Sequence, residues 1–285
     1  MTVVGLDVGG TKIVGARFGP EGPVGRIEVP TPCADGRRDP GSAAARGLLQ
    51  RLVGEATDGV PAVGIAICEY VRDGTVTSRE VIDWEGQPRD WLSGSHPAVR
   101  VWVESDVRCG AITEIARGTL RDKGVGYYVS WGTGLSGCLA VGGAPVAGRR
   151  GRAIALGELP APEGPTLESY ASGAGLARRY AARSGRPVRE AREVLAAASS
   201  GDPVATEVAT SAGRALAEAL RWVVRLLDPD VVVLGGGLGT SDHPAAAALR
   251  EAWADAPEQP PLLTASSGPD ASLVGAAIHA GWRPS

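Results

Sequence analysis
Two glycine-rich turns are the features of this chain best suited to hold an anion. The first is Gly9-Gly10-Thr11-Lys12, between the apolar runs Val3–Val8 and Ile13-Val14. The second is Gly132-Thr133-Gly134, between Tyr127–Trp131 and Leu135–Leu139. β-prone residues flank each turn on both sides, so each reads as a hairpin and not as a strand-to-helix turn. Neither carries the Walker spacing, and neither opens a helix as a dinucleotide fingerprint does. Glycine lets phosphate oxygens approach backbone N–H groups closely, and the hydroxyls of Thr11 and Thr133 add donors. A matched pair of this kind suits a phosphate chain held from two sides. A tight hairpin needing positive φ would also call for these glycines, which accounts for one turn more easily than for two. Lys12 is either a charge near the phosphates or a solvent-facing strand residue. Asp7 ends the strand before the first turn. It could position Mg²⁺ through water or hold Lys12, or it could be a strand-end turn residue. Asp106 precedes a helical stretch, where a carboxylate can take the proton of an attacking hydroxyl or cap the helix.

The elements that must position these residues follow a repeated plan. Strands at Thr2–Val8, Lys12–Phe18 and Val24–Val29 precede a helix from about Gly41 to Glu55. The buried strand Ala62–Ile67, then Val99–Val103 and a helix from about Val107 to Arg117 follow. The second half begins with Val125–Ser130, Gly137–Val141 and a short third run. A long amphipathic helix at Pro203–Leu227 carries Val208, Ala212, Leu216, Leu220 and Val224 at helical spacing, and Asp228-Pro229-Asp230 ends it. Val231–Leu234, Leu262–Ala265 and a last helix at Ala271–Gly281 complete the copy. The order β-β-β-α-β-α-β-α thus occurs twice, with insertions. It predicts two α/β domains with the glycine hairpins facing each other across a cleft that can close to exclude water. The Gly/Pro-rich stretch from Gly142 to Pro165 predicts loops at the cleft mouth.

At 285 residues the chain can bury two cores, and its 44% hydrophobic content fits a soluble globular protein. No apolar run is long enough to span a membrane, and the N-terminus reads as a strand and not as a signal peptide, so a cytoplasmic location is expected. Net charge is −3, and Lys12 and Lys123 are the only lysines. The arginines are scattered among acids, which disfavours a nucleic-acid surface. Cys33, Cys68, Cys109 and Cys138 lack paired metal spacing and read as free or buried thiols. His96, His243 and His279 show no ligand spacing and read as surface or loop residues.

Taken in order, these motifs resemble the ROK-family sugar kinases of the hexokinase–actin superfamily, nearly end to end. Leu6-Asp7-Val8-Gly9-Gly10-Thr11-Lys12 and Ser130–Gly137 are similar to the family's phosphate motifs. Glu104-Ser105-Asp106-Val107 stands where the family has an Asn-Asp pair before a helix. Leu156-Gly157-Glu158 and Leu167–Gly173 resemble the segments flanking its zinc site. Leu234-Gly235-Gly236-Gly237 resembles the adenosine-side loop, and Ala271–Ala277 the start of the C-terminal helix. The resemblance implies an α/β fold of two actin/hexokinase-like (ribonuclease H-like) domains. Residues 1–120 would carry the acceptor side and the first phosphate turn. Residues 121–285 would carry the nucleotide side, with the last helix packing back on the first domain. ATP and Mg²⁺ are the implied cofactors. Asp106 becomes the implied general base. Asp7, Gly9, Gly10, Thr11, Lys12, Gly132, Thr133, Gly134, Gly235, Gly236 and Gly237 become nucleotide contacts. Ser105, Glu158 and Glu168 fall on the acceptor side. Paired carboxylates suit vicinal hydroxyls, although an acid at Glu168 also suits a helix N-terminus. Glu69, Asp83 and Trp84 are further acceptor-side candidates.

The departures from the family pattern lie on the acceptor side. Leu159-Pro160-Ala161 follows Glu158 where the family carries a zinc-binding His, and Pro162-Glu163-Gly164-Pro165 replaces its cysteine cluster, so no zinc is expected. Ser105 replaces the Asn before Asp106, and Cys68-Glu69-Tyr70 replaces a Pro-Gly turn. A family regulator would carry a DNA-binding domain before the first strand, where this chain begins, so a repressor role is disfavoured. The expected activity is transfer of the ATP γ-phosphate to a hydroxymethyl group of a sugar-like polyol, a C7-cyclitol or modified hexose. The alternatives are an ordinary glucokinase without zinc and a catalytically weak sugar- or nucleotide-binding protein. The expected partners are the polyol and ATP, with neither nucleic acid nor membrane, and a homodimer stays open.

Overall fold
A computed structural model describes residues 2–34, 36–56 and 59–283. The chain divides into two compact units. The first comprises Met1–Ala116, Pro145–Ala153 and Asp270–Ser285, and the second Arg117–Ala144 and Ile154–Pro269. Each holds a mixed five-stranded sheet.

In the first unit, β1 (Val3–Val8), β2 (Lys12–Gly19) and β3 (Gly22–Pro30) form an antiparallel meander. On its other side β1 pairs in parallel with β4 (Ala62–Ile67), and β4 with β5 (Arg100–Ser105). α1 (Ala43–Gly54) lays Ala45, Leu48, Leu49, Leu52 and Val53 against the core formed with Leu6, Ile13 and Ile65. β4 is a fully buried Ala-Val-Gly-Ile-Ala-Ile run, as a strand covered on both faces must be. α2 (Asp106–Arg117) begins at the residue after β5, without a connecting loop.

In the second unit, β6 (Val125–Trp131) and β7 (Leu135–Val141) form a hairpin, and the two-residue β8 (Ala144–Pro145) is the short third strand. β6 pairs in parallel with β9 (Val231–Gly235), and β9 with β10 (Leu262–Thr264). Helices the sequence reading did not name stand here, among them α3 (Leu167–Ala171), α4 (Gly173–Ser184), α5 (Ala191–Ser199) and α7 (Pro244–Ala254). Their alanine- and arginine-rich sequences carry a weak apolar stripe, but their caps are legible. The Ser172 hydroxyl accepts from Gly175 N at 3.1 Å to open α4, and Gly185 closes it at φ 70°. α6 (Pro203–Leu227) has the bounds its sequence predicts, with Asp202 capping Ala205 N at 2.9 Å and Asp228 in the left-handed region after it. Among the described residues no helix is long and apolar enough to cross a membrane.

The last helix, α8 (Ala271–His279), belongs to the first unit and packs on β1 and β4. The contact is backbone to backbone: a Cβ on Gly64 would lie 1.8 Å from Ala276 O. Gly64→Ala should therefore cost about 3 kcal/mol, the upper end of overpacking penalties. Gly47→Ala on the exposed face of α1, where a Cβ meets nothing within 4 Å, should gain about 0.5 to 1 kcal/mol. Urea unfolding of the two variants checks both signs.

Candidate active site
Strand register assembles the first group of residues. Val8, Ile67 and Ser105 are neighbours across β1, β4 and β5, so Asp7 and Asp106 emerge at one carboxyl edge of the parallel strands. That edge is where open α/β sheets bind ligands. The half-buried Asp7 carboxyl is pushed up to about 7, first by burial, then by the charges of Asp106 and Asp270, with Lys12 opposing. Asp106 is the first residue of α2; its Oδ1 accepts from Val107 N at 2.7 Å and its carbonyl from Ser272 Oγ at 3.1 Å. Ser105 is fully buried, and its Oγ has no hydrogen-bond partner in the protein.

The first glycine turn closes with Gly9 N donating to Lys12 O at 3.0 Å. Thr31 Oγ1 donates to Gly9 O at 2.6 Å, and Arg38 Nη1 to Gly10 O at 2.7 Å. Neither Gly9 nor Gly10 has positive φ, so the hairpin does not require glycine for its backbone conformation. Space does: a Cβ on Gly10 would stand 2.6 Å from Arg38 Nη1 and 2.7 Å from Val81. Thr11 is exposed at the tip. Lys12 pairs with Glu28 at 3.2 Å, both side chains 42% exposed.

The second group lies in the second unit. Gly132 N donates to Gly134 O at 3.0 Å, and the first amides of α4 brace this turn: Gly173 N donates to Gly132 O at 2.8 Å and Ala174 N to Thr133 O at 3.1 Å. Gly132 and Gly134 also lack positive φ. Glu168, in the first turn of α3, accepts from Leu135 N at 2.8 Å, and a Cβ on Gly134 would stand 2.9 Å from its Oε2. Gly157 packs on Leu135 and Glu168, which brings the neighbouring, exposed Glu158 to the same corner. Gly235 ends β9. Gly236, at φ 76°, lies against Trp131, and Gly237 N is 3.7 Å from where a Gly132 Cβ would be. Gly132–Gly134, Gly235–Gly237, Glu158 and Glu168 thus form one cluster within this unit.

Other candidates have structural occupations. The buried carboxylate of Glu69 accepts from Ser78 Oγ and from the amides of Glu80, Val81 and Ile82 at 2.9, 2.7 and 3.0 Å. It organises the 78–82 loop. Asp83 pairs with Arg37 at 3.2 Å, and Trp84 is buried, stacked 5.9 Å from Trp91. His243 is not a bare loop residue: its ring caps α7 through Ala246 N at 3.0 Å and meets Leu238 O at 2.9 Å. Burial holds its pKa below the usual value. Among the described residues no group of three or more His, Cys, Asp or Glu could hold a metal ion. Sequence reasoning missed Asp270, which acts on Asp7 and pairs with Arg26 at 2.8 Å; its position just before α8 is the only signal.

Asp7 makes stability pH-dependent. Its folded pKa lies above its unfolded one, so its contribution is full below the unfolded value and is lost as pH rises through about 7. Asp7→Asn removes that loss. The variant's stability relative to the native protein should therefore rise between about pH 5 and about pH 8, as read by urea unfolding at both.

The ROK family model matches residues 3–281. The bifunctional enzyme NanE/NanK of Brucella melitensis is 29% identical over 96% of this chain, which spans 53% of that protein's length. A ROK hexokinase from Thermus thermophilus is 30% identical, with 98% of each chain covered and a TM-score of 0.79. A ROK family glucokinase from Streptomyces griseus, solved with glucose and AMPPNP, is 27% identical, with 98% of this chain and 99% of that one covered and a TM-score of 0.81. With a match running from the first strand to beyond the last helix, the chain belongs to the ROK family.

Proposed function
We propose that this protein is an ATP-dependent kinase that transfers the γ-phosphoryl group to a hydroxymethyl group of a sugar-like polyol, a C7-cyclitol or a modified hexose. The observation that carries the reading is the pair Asp7 and Asp106 at one strand edge beside the Gly9–Lys12 turn, in a ROK-family chain. Asp106 accepts the proton of the attacking hydroxyl as the oxygen–phosphorus bond forms, and the ADP oxygen leaves with the bonding pair. Residues 1–120 serve the acceptor and the first phosphate turn. Residues 121–285 serve the nucleotide, through Gly132–Gly134 and Gly235–Gly237, with the last helix returned to the first domain.

Mg²⁺ fits the first group: burial next to Asp106 and Asp270 keeps Asp7 protonated to about 7, a charge conflict that a hydrated cation relieves. Bound with ATP, the ion supplies neutralisation of charge on the phosphates. Asp7 would hold the ion through water, and Thr11, Thr133 and Lys12 would orient the phosphate chain. Glu158 and Glu168 accept hydrogen bonds from vicinal acceptor hydroxyls, and Ser105 Oγ offers a buried, unpartnered hydroxyl beside the base. The zinc of the family plays no part in this reading, because Leu159-Pro160-Ala161 lacks its His. The likeness to a glucokinase solved with glucose favours one rival, a zinc-free glucokinase.

Asp106→Asn keeps size and capping ability and should fold normally, while turnover at saturating substrates falls by ~10²-fold or more. Near-native turnover would mean that another group takes the proton. The acceptor is decided by kcat/KM across glucose, N-acetylhexosamines and hydroxymethyl cyclitols. The loss of an amide at Ser105 and an imidazole at Ala161 predicts that a cyclitol or modified hexose outranks glucose. Glucose ranking first by a wide margin would make the protein a zinc-free glucokinase.

A further inference from the structure
The largest buried charge of the first unit stands two residues from Asp106. Arg108 is 1% exposed, and its guanidinium is fully engaged on one side by Glu104: Nε donates to Glu104 Oε1 at 2.7 Å and Nη2 approaches the same oxygen at 2.5 Å. The same oxygen accepts from Ser105 N at 2.7 Å. The pair therefore spans the junction where β5 becomes α2, with Ser105 and Asp106 between its two members. On its other side the guanidinium reaches backbone alone. Nη1 donates to Gly151 O at 3.1 Å and Nη2 to Val71 O at 2.6 Å. These two segments are also fastened to each other. A Cβ on Gly151 would lie 2.1 Å from Val71 O, and the Arg152 guanidinium stacks 4.4 Å from the Tyr70 ring.

We propose that Arg108 is a positioning residue for phosphoryl transfer, locking the junction that presents Ser105 and Asp106 to the two segments at Val71 and Gly151 and so setting the acceptor-side geometry. The inference rests on the kinase reading above. A planar fork of donors in a fixed arrangement can serve a carboxylate and two carbonyls at once, whereas an ammonium is a point charge on a flexible stem. With no water around a buried group, a lost donor leaves its acceptor bare, and the segment that carried it must shift. A shift of Ser105 and the base weakens transfer to the polyol without touching the proposed nucleotide contacts.

The test uses Arg108→Lys, which keeps the charge, and Glu104→Gln, which keeps an acceptor, each checked for folding by circular dichroism and thermal unfolding. Acceptor kinetics are measured with glucose and with a hydroxymethyl C7-cyclitol as probes. Both variants should lose ~10-fold to ~100-fold in kcat/KM for the acceptor, the scale of a small misplacement. Their KM for ATP should stay within about two-fold of native, because neither side chain is among the proposed nucleotide contacts. The double variant should be little worse than the worse single one, because the two side chains act as one unit. Folded variants with native acceptor kinetics and only a lowered melting temperature would reduce Arg108 to a structural residue and overturn the inference while leaving the kinase reading intact. A native enzyme that phosphorylates neither probe nor any other polyol would overturn the kinase reading, and this inference with it.

Discussion

The parallel register of β1, β4 and β5 is the constraint from which the candidate site follows. Backbone hydrogen bonds set Val8, Ile67 and Ser105 side by side, and Asp7 and Asp106 take their places from that row. Sliding one strand by a single residue would turn its side chains to the opposite face. β4 resists this because it is buried throughout, and Gly64 leaves only enough room for the α8 backbone on one side. The spacing of the two carboxylates is therefore inherited from main-chain pairing. The Glu104–Arg108 pair bridges the point at which β5 passes into α2.

Charge in this group is arranged against stability. Burial and two neighbouring carboxylates keep a proton on Asp7 that an isolated aspartate would have lost. Lys12, whose charge opposes this shift, is paired with Glu28 in a half-exposed pair, and such pairs contribute little. Little therefore holds the lysine to Glu28. This keeps both readings of Lys12, strand residue and phosphate ligand, compatible with one position.

Much of this was legible in the sequence. The two glycine hairpins, the buried strand Ala62–Ile67 and the bounds of α6 follow from period, turn chemistry and caps, and the ROK motifs named the family. What escaped reading depends on long-range contact. Asp270 is far from Asp7 in sequence, and only the return of α8 to the first unit brings them together. Glu69 and Trp84 looked like acceptor residues by type, yet one is consumed by four donors and the other by an aromatic stack. Composition cannot distinguish a carboxylate awaiting a ligand from one already satisfied. Arg108 is ordinary in sequence and becomes distinctive only through its burial.

The glycines of the two hairpins show how a repeated motif acquires different supports. Positive φ is absent from both turns, and room is short at Gly10 and Gly134 but not at Gly132. The first turn is braced by side chains, Arg38 and Thr31 holding its carbonyls. The second is braced by the amides at the start of α4, with Glu168 on Leu135 N. Side-chain braces on an exposed turn yield to a ligand more readily than helix amides, whose positions are fixed by the hydrogen-bonded turns behind them.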